Sequence, residues 1–184
     1  MPIIEYIGKR PRIDDGAFIM DSATLIGDVT ISNRVLILSN AVLRGDLNGI
    51  YIGEEVCIQE NSVLNPTVKE PIIIEGYSIV GYGAKVHGGE IGRGVFIGAN
   101  CVILQGVRIG ENSLVAAGSV LLEDMIIPPR SLVAGVPARV VRNLKDEDVE
   151  WTKIGVAGYM EILKEYENKL KRWEIRQGIA SPGS

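Results

Sequence analysis

The sequence predicts an all-β solenoid of hexapeptide repeats: a parallel β-helix of six to seven coils followed by one C-terminal α-helix. Three observations carry that prediction. The first is an aliphatic beat every six residues: Ile13, Ile19, Leu25, Ile31, Ile37 and Leu43, then Ile52, Ile58 and Leu64, then Ile74, Val80 and Val86, then unbroken sixes from Ile91 to Val133. All twenty beats are Ile, Leu or Val, whereas only about a third of the chain is, so chance explains the pattern poorly. The second is a column two residues ahead of the beat, mostly small: Ala17, Ala23, Val29, Val35, Ala41, Ser62, Ser78, Ala84, Cys101, Ser113 and Ser119. Residues two apart in an extended chain face the same way, so each repeat sends one bulky and one small side chain inward. The third is composition. The chain is 46% hydrophobic but only 5% aromatic, which suits a thin core with little room for rings. Three short strands per turn make about eighteen residues per coil, with coils about 4.8 Å apart.

The elements follow in order. Residues 1–12 (MPIIEYIGKRPR) are an apolar strand and basic turn that can close the open end of the solenoid as a cap. The β-helix domain occupies 13–142, with Gly, Asn and Asp between beats (Gly27-Asp28, Gly53, Gly98, Gly110, Gly118) where a short strand must bend. Two insertions interrupt it, at Gly49 to Tyr51 and at Asn65 to Ile73, and insertions in repeat proteins are where function tends to sit. From residue 146 the period changes. Val149, Val156, Met160, Leu163, Tyr166, Leu170 and Trp173 mark an amphipathic helix over 146–177, with Asp146 as the expected N-cap and Glu165–Lys169 and Glu167–Lys171 as four-apart pairs. Gly155 and Gly158 are expected to bend it or let it pack closely, and 178–184 to be a disordered tail.

At 184 residues the chain is one domain with a sizeable core. A net charge of -4 and a pI near 5.1 give no basic footprint for nucleic acid or an anionic membrane. No apolar run approaches the ~20 residues of a membrane span, and the start lacks signal-peptide order, so a cytoplasmic protein is expected. Cys57 falls on the outward column and Cys101 on the inward one, which predicts two reduced thiols rather than a disulfide.

The segment VLRGDLNGIYIGEEVCIQENSVLN, Val42 to Asn65, carries the chemistry. Its Arg44-Gly45-Asp46 and Ile58-Gln59-Glu60, the Val86-His87-Gly88, the Gly135-x-Pro137-Ala138 and the C-terminal helix resemble the gamma-class carbonic anhydrases and their relatives of ferripyochelin-binding and phenylacetate-operon type. The resemblance covers nearly the whole chain. It implies a left-handed β-helix, which periodicity cannot supply, and a homotrimer. It also implies a zinc held by three histidines at the subunit interface. Carried over singly, the first of those positions is Asn65, the second Tyr82, and only the third is a histidine, His87, the one histidine of the chain. By the same resemblance Arg44 and Asp46 make ion pairs across the trimer interface, while Gln59 and Glu60 line the remnant pocket.

Catalytic zinc wants three firm ligands and an open position for a bound water whose pKa drops to about 7. An amide oxygen is a weak zinc ligand, and a phenol must lose a proton of pKa near 10 to bind well. These residues therefore predict a degenerate zinc site, put CO2 hydration in doubt, and lead us to expect no cofactor. Zinc or another divalent metal, held through Glu60 or Asn65, stays open. Two other readings use the same fold: a CoA-dependent acyltransferase with His87 as base, and a non-enzymatic trimeric scaffold that binds a small anion or bicarbonate. The plainer readings are that Arg44-Gly45-Asp46 is a charged turn, Glu60 a solvated corner charge, and His87 a hydrogen-bonded interface residue.

Overall fold

The computed structural model describes residues 2–169. The expected helix positions 170–177, with Leu170, Lys171 and Trp173, and the 178–184 tail lie outside the described residues. The chain winds as a left-handed parallel β-helix of about seven turns with a single helix after it. One face stacks seven parallel strands, from Phe18–Ile19 through Cys57–Ile58 to Ser131–Gly135. The other two faces merge into one twelve-stranded sheet, because Thr24–Ile31 and Val42–Ile52 run round a corner without a break.

The beat is the core. Every beat residue is buried except Ile13, which is only partly covered at the first coil, and the small column is buried from Ala23 onward. Serines in that column serve the backbone. Ser78 Oγ donates to Gly92 O at 3.1 Å and accepts from the Val95 N–H at 3.1 Å, which satisfies groups that a narrow interior would otherwise strand.

The corners obey a rule finer than the sequence suggests. The residue three places after a beat commonly sits in left-handed backbone, as at Asn40 (φ 60), Asn61 (φ 60), Gly83 (φ 70) and Asn112 (φ 53). Asn tolerates that region and Gly does so freely. Gly53, Gly98 and Gly110, expected as bends, are instead glycine for lack of space. A Cβ there would lie 2.6 Å from Gly76 N, 2.5 Å from Ala117 N and 2.4 Å from Pro129 N of the next coil. Gly45 obeys the same constraint, since its Cβ would meet Asp28 O at 2.5 Å inside the continuous strand Val42–Ile52.

The top closes differently from a plain solenoid end. Ala138–Asn143 turns back antiparallel on Ser131–Gly135. At the bottom Ile3–Ile4 pairs in parallel with Leu25–Ile26.

The helix, Asp146–Lys169, lies along the seven-stranded face. Trp151 packs against Phe96 as a tilted pair with ring centroids 5.2 Å apart, and Tyr166 against Phe18 likewise at 5.7 Å, so the helix runs from the upper coils back toward the first. Beneath it an outward stripe of Leu36, Cys57 and Ile79 is fully buried. Cys57 is thus outward on the solenoid, as expected, yet buried by Val156, Met160 and Leu163. Asp146 is not the cap. It pairs with Arg130, and it is Asp148 that accepts the Lys145 N–H at 2.8 Å, because the carboxylate three residues into a helix reaches back to the capping residue. The helix is unbroken at Gly155, where a Cβ would rest 3.5 Å from Ile79 Cδ1 in ordinary contact.

Candidate functional site

Successive coils bring the candidate residues to one edge. Asn65 and His87 each follow a beat, Leu64 and Val86, and these strands pair in register, so the two residues sit one above the other on an outward face. The Asn65 N–H donates to Val86 O and the His87 N–H to Ile103 O, both at 2.9 Å, which fixes their backbone. Lys85 and Val63 flank them, and together these residues line a shallow depression of about 290 Å³. His87 is exposed. Asn65 is half-buried, and its Oδ1 is fully covered without a hydrogen-bond partner among the described residues. Lys85 Nζ donates to Gly83 O at 2.9 Å, which holds the cation at the rim.

Tyr82 stands on the corner before this face and is 57% exposed. The side chain that secures the corner is Gln59, only 4% exposed, whose Oε1 accepts from the Tyr82 N–H at 3.0 Å. Gln59 Nε2 donates to the Tyr159 hydroxyl from the helix. Burial is the main reason the Tyr159 phenol stays above its ordinary pKa, and Cys57, Glu60 and Tyr82 add to it, so this hydroxyl remains neutral and able to hydrogen-bond. Tyr159 was missed in the sequence. It completes the spacing Thr152, Val156, Tyr159, Leu163 and Tyr166, an alternation of four and three that marks it as facing the solenoid. Glu60 is half-buried beside this cluster, and its backbone oxygen accepts from Gly83 N–H at 2.8 Å. Arg44 and Asp46 pair with each other within one chain, Nε to Oδ1 at 3.1 Å.

The structure therefore brings Asn65 and His87 together on one face and places Gln59 and Tyr82 together at the neighbouring corner. Among the described residues no three His, Cys, Asp or Glu side chains converge to hold a metal. An amide, a phenol and one imidazole do not fit zinc, which needs anionic or imidazole donors. No helix of the described residues is long and apolar enough to cross a membrane.

Comparison with known proteins agrees with this architecture. Residues 88–123 match the model of the bacterial transferase hexapeptide (six repeats). The chain is 44% identical to a carbonic anhydrase of Geobacillus kaustophilus over 147 residues, 80% of this chain and 81% of that protein. It is 34% identical to the carnitine operon protein CaiE of Escherichia coli K12 over 163 residues, 89% of this chain and 83% of that one. The crystal structure of a hexapeptide transferase family protein from Anaplasma phagocytophilum superposes with a TM-score of 0.87 at 30% identity, covering 90% of this chain and 98% of that one. With its fold, its repeat and relatives of this identity over most of its length, the chain belongs to the gamma-class carbonic anhydrase-like family of hexapeptide-repeat proteins.

Proposed function

We propose that this protein is a homotrimer with a carbonic anhydrase-like site that holds no zinc and does not hydrate CO2. In this reading the partner subunit's Tyr82 packs beside Asn65 and His87 and fills the volume a metal would take. The observation that carries it is the donor set: an amide at Asn65, a phenol at Tyr82 and one imidazole at His87, a poor match to the firm ligands zinc needs. An exposed tyrosine ring at the adjoining corner also gains by being covered. The space left beside Lys85 and His87 suits a small anion such as bicarbonate. The Arg44–Asp46 pair then sits at the subunit boundary, as the family resemblance implies.

Light scattering should give a trimer, and stopped-flow CO2 hydration by untagged protein should match buffer. The double variant Asn65→His with Tyr82→His restores the three-imidazole set and should gain both zinc and hydration. Hydration by the unaltered protein, or a monomer in solution, sinks the reading.

A second reading is acyl transfer with His87 as base. It is supported by the exposure of His87 and by the likeness to a hexapeptide transferase family structure. Titration with coenzyme A separates the two, since only the transferase reading expects saturable binding.

A further inference from the structure

A crevice of about 460 Å³ lies away from that site, between the C-terminal helix and a different corner of the β-helix. Its origin is one position. The third residue after every third beat, one per coil, forms a column up this corner, which reads Arg34, Glu55, Tyr77, Gly94, Asn112 and Arg130, all in left-handed backbone. Only Gly94 contributes no side chain, so its level stays open between Tyr77 below and Asn112 above. A Cβ at Gly94 would lie 2.7 Å from Asn112 Oδ1, and its φ of +69° already favours glycine. The helix passes this level with Val156 and Ala157, and the small Ala157 does not refill the space.

The lining has a definite chemistry. The Arg93 guanidinium lies 3.9 Å over the Tyr77 ring and makes a flat wall. Lys153 approaches from the helix. Both cations are loosely held within the chain. Arg93 stands 3.8 Å from Glu54 and Lys153 3.5 Å from Glu150, with all four side chains at least half exposed, so water screens these pairs strongly. The acid of the lining, Glu55, is already matched to Arg34 at 3.2 Å. What the crevice offers is a planar wall, an apolar floor from Val156 and Ala157, and two cations free to gain a better partner. Its volume falls in the ~300–1,000 Å³ range of small-molecule sites.

We propose that this crevice binds a small aromatic carboxylate, its ring against the Tyr77–Arg93 wall and its carboxylate between Arg93 and Lys153. A guanidinium pairs with carboxylate through its edge while its face stays on an aromatic ring, which lysine cannot do. An aromatic cation would meet two like charges.

The test is a titration of isotopically labelled protein with benzoate, followed by amide chemical shifts. Saturable shifts should centre on Gly94, Lys153 and Ala157, and neutral benzamide should bind roughly tenfold more weakly, as loss of a charge-assisted contact implies. Ala157→Leu fills the crevice from a helix position that favours leucine, and Arg93→Gln removes the cation from an exposed side chain. Both should abolish the shifts while thermal unfolding stays near that of the unaltered protein. If Ala157→Leu melts early, Arg93→Gln decides alone. Absence of saturable shifts, equal binding of benzamide, or benzoate binding that survives Arg93→Gln overturns the proposal.

Discussion

Gln59 Oε1 accepts the backbone N–H of Tyr82 at 3.0 Å across 23 positions of sequence, so a side chain of one coil sets the corner of the next. Its Nε2 donates to Tyr159 at the same time, and the buried amide joins corner and helix. Gln59→Leu keeps the volume but removes both bonds. It should cost ~1–3 kcal/mol and lower the melting temperature by roughly 2–4 °C per kcal/mol. Calorimetry checks this, and an unchanged melting temperature contradicts the structural role given to Gln59.

Ser78 is a second buried polar joint. Its hydroxyl bridges Gly92 O and the Val95 N–H within the core. Ser78→Ala leaves that N–H unmatched and should destabilise by about 1–3 kcal/mol, whereas the same change at Ser22, whose hydroxyl accepts the Asn40 N–H at an exposed corner where water can take its place, should cost less. Equal effects at the two positions would contradict the assignment.

Arg142 grips Asp148 with hydrogen bonds of 2.6 and 3.0 Å, and the Lys145 N–H adds one of 2.8 Å. These contacts, the Arg142 bonds first, hold the carboxyl far below its usual value of 3.8. A carboxylate depressed in the folded state contributes stability above its unfolded value that is lost as pH falls toward the folded one. Asp148→Asn should therefore melt below the unaltered protein at neutral pH, and the gap should narrow as pH drops below about 4. A gap that stays constant into acid would show that the ion pair is not its source.

The thiols give a kinetic test of helix docking. Cys57 is fully buried beneath the helix, and burial, with Glu60 adding, pushes its thiol far up. Cys101 is buried in the core and also raised, mainly by burial. Since thiolate is the reactive form, neither should react with a disulfide reagent in the folded protein, and both should react once it is denatured. Rapid native labelling of Cys57 would mean the helix does not stay seated.

The core was legible because it is periodic: a beat of six with a small residue two ahead specifies which side chains turn inward, whatever the coil does. The corners were only half legible. Gly53 and Gly94 look alike in sequence, yet one is glycine because the next coil lies 2.6 Å from its Cβ position and the other because of its backbone angle, a difference only the coil spacing exposes. Asp146 looked like the cap because it opens the acidic run, but the reach of Asp148 back to Lys145 depends on the entry angle of the chain. At the candidate site, Asn65, Tyr82 and His87 were named from the sequence through the family resemblance alone. Tyr159 was not, because its contact with Gln59 spans 100 positions and arises only when the helix folds back.

The most direct measurement is zinc per chain, by plasma mass spectrometry on untagged protein produced with zinc, cobalt and iron available. An amide, a phenol and one imidazole predict metal far below one ion per chain and a rise toward one in Asn65→His with Tyr82→His. Close to one zinc in the unaltered protein would contradict the central claim, for it would mean that these residues, or others brought by a neighbouring copy, still build a metal centre.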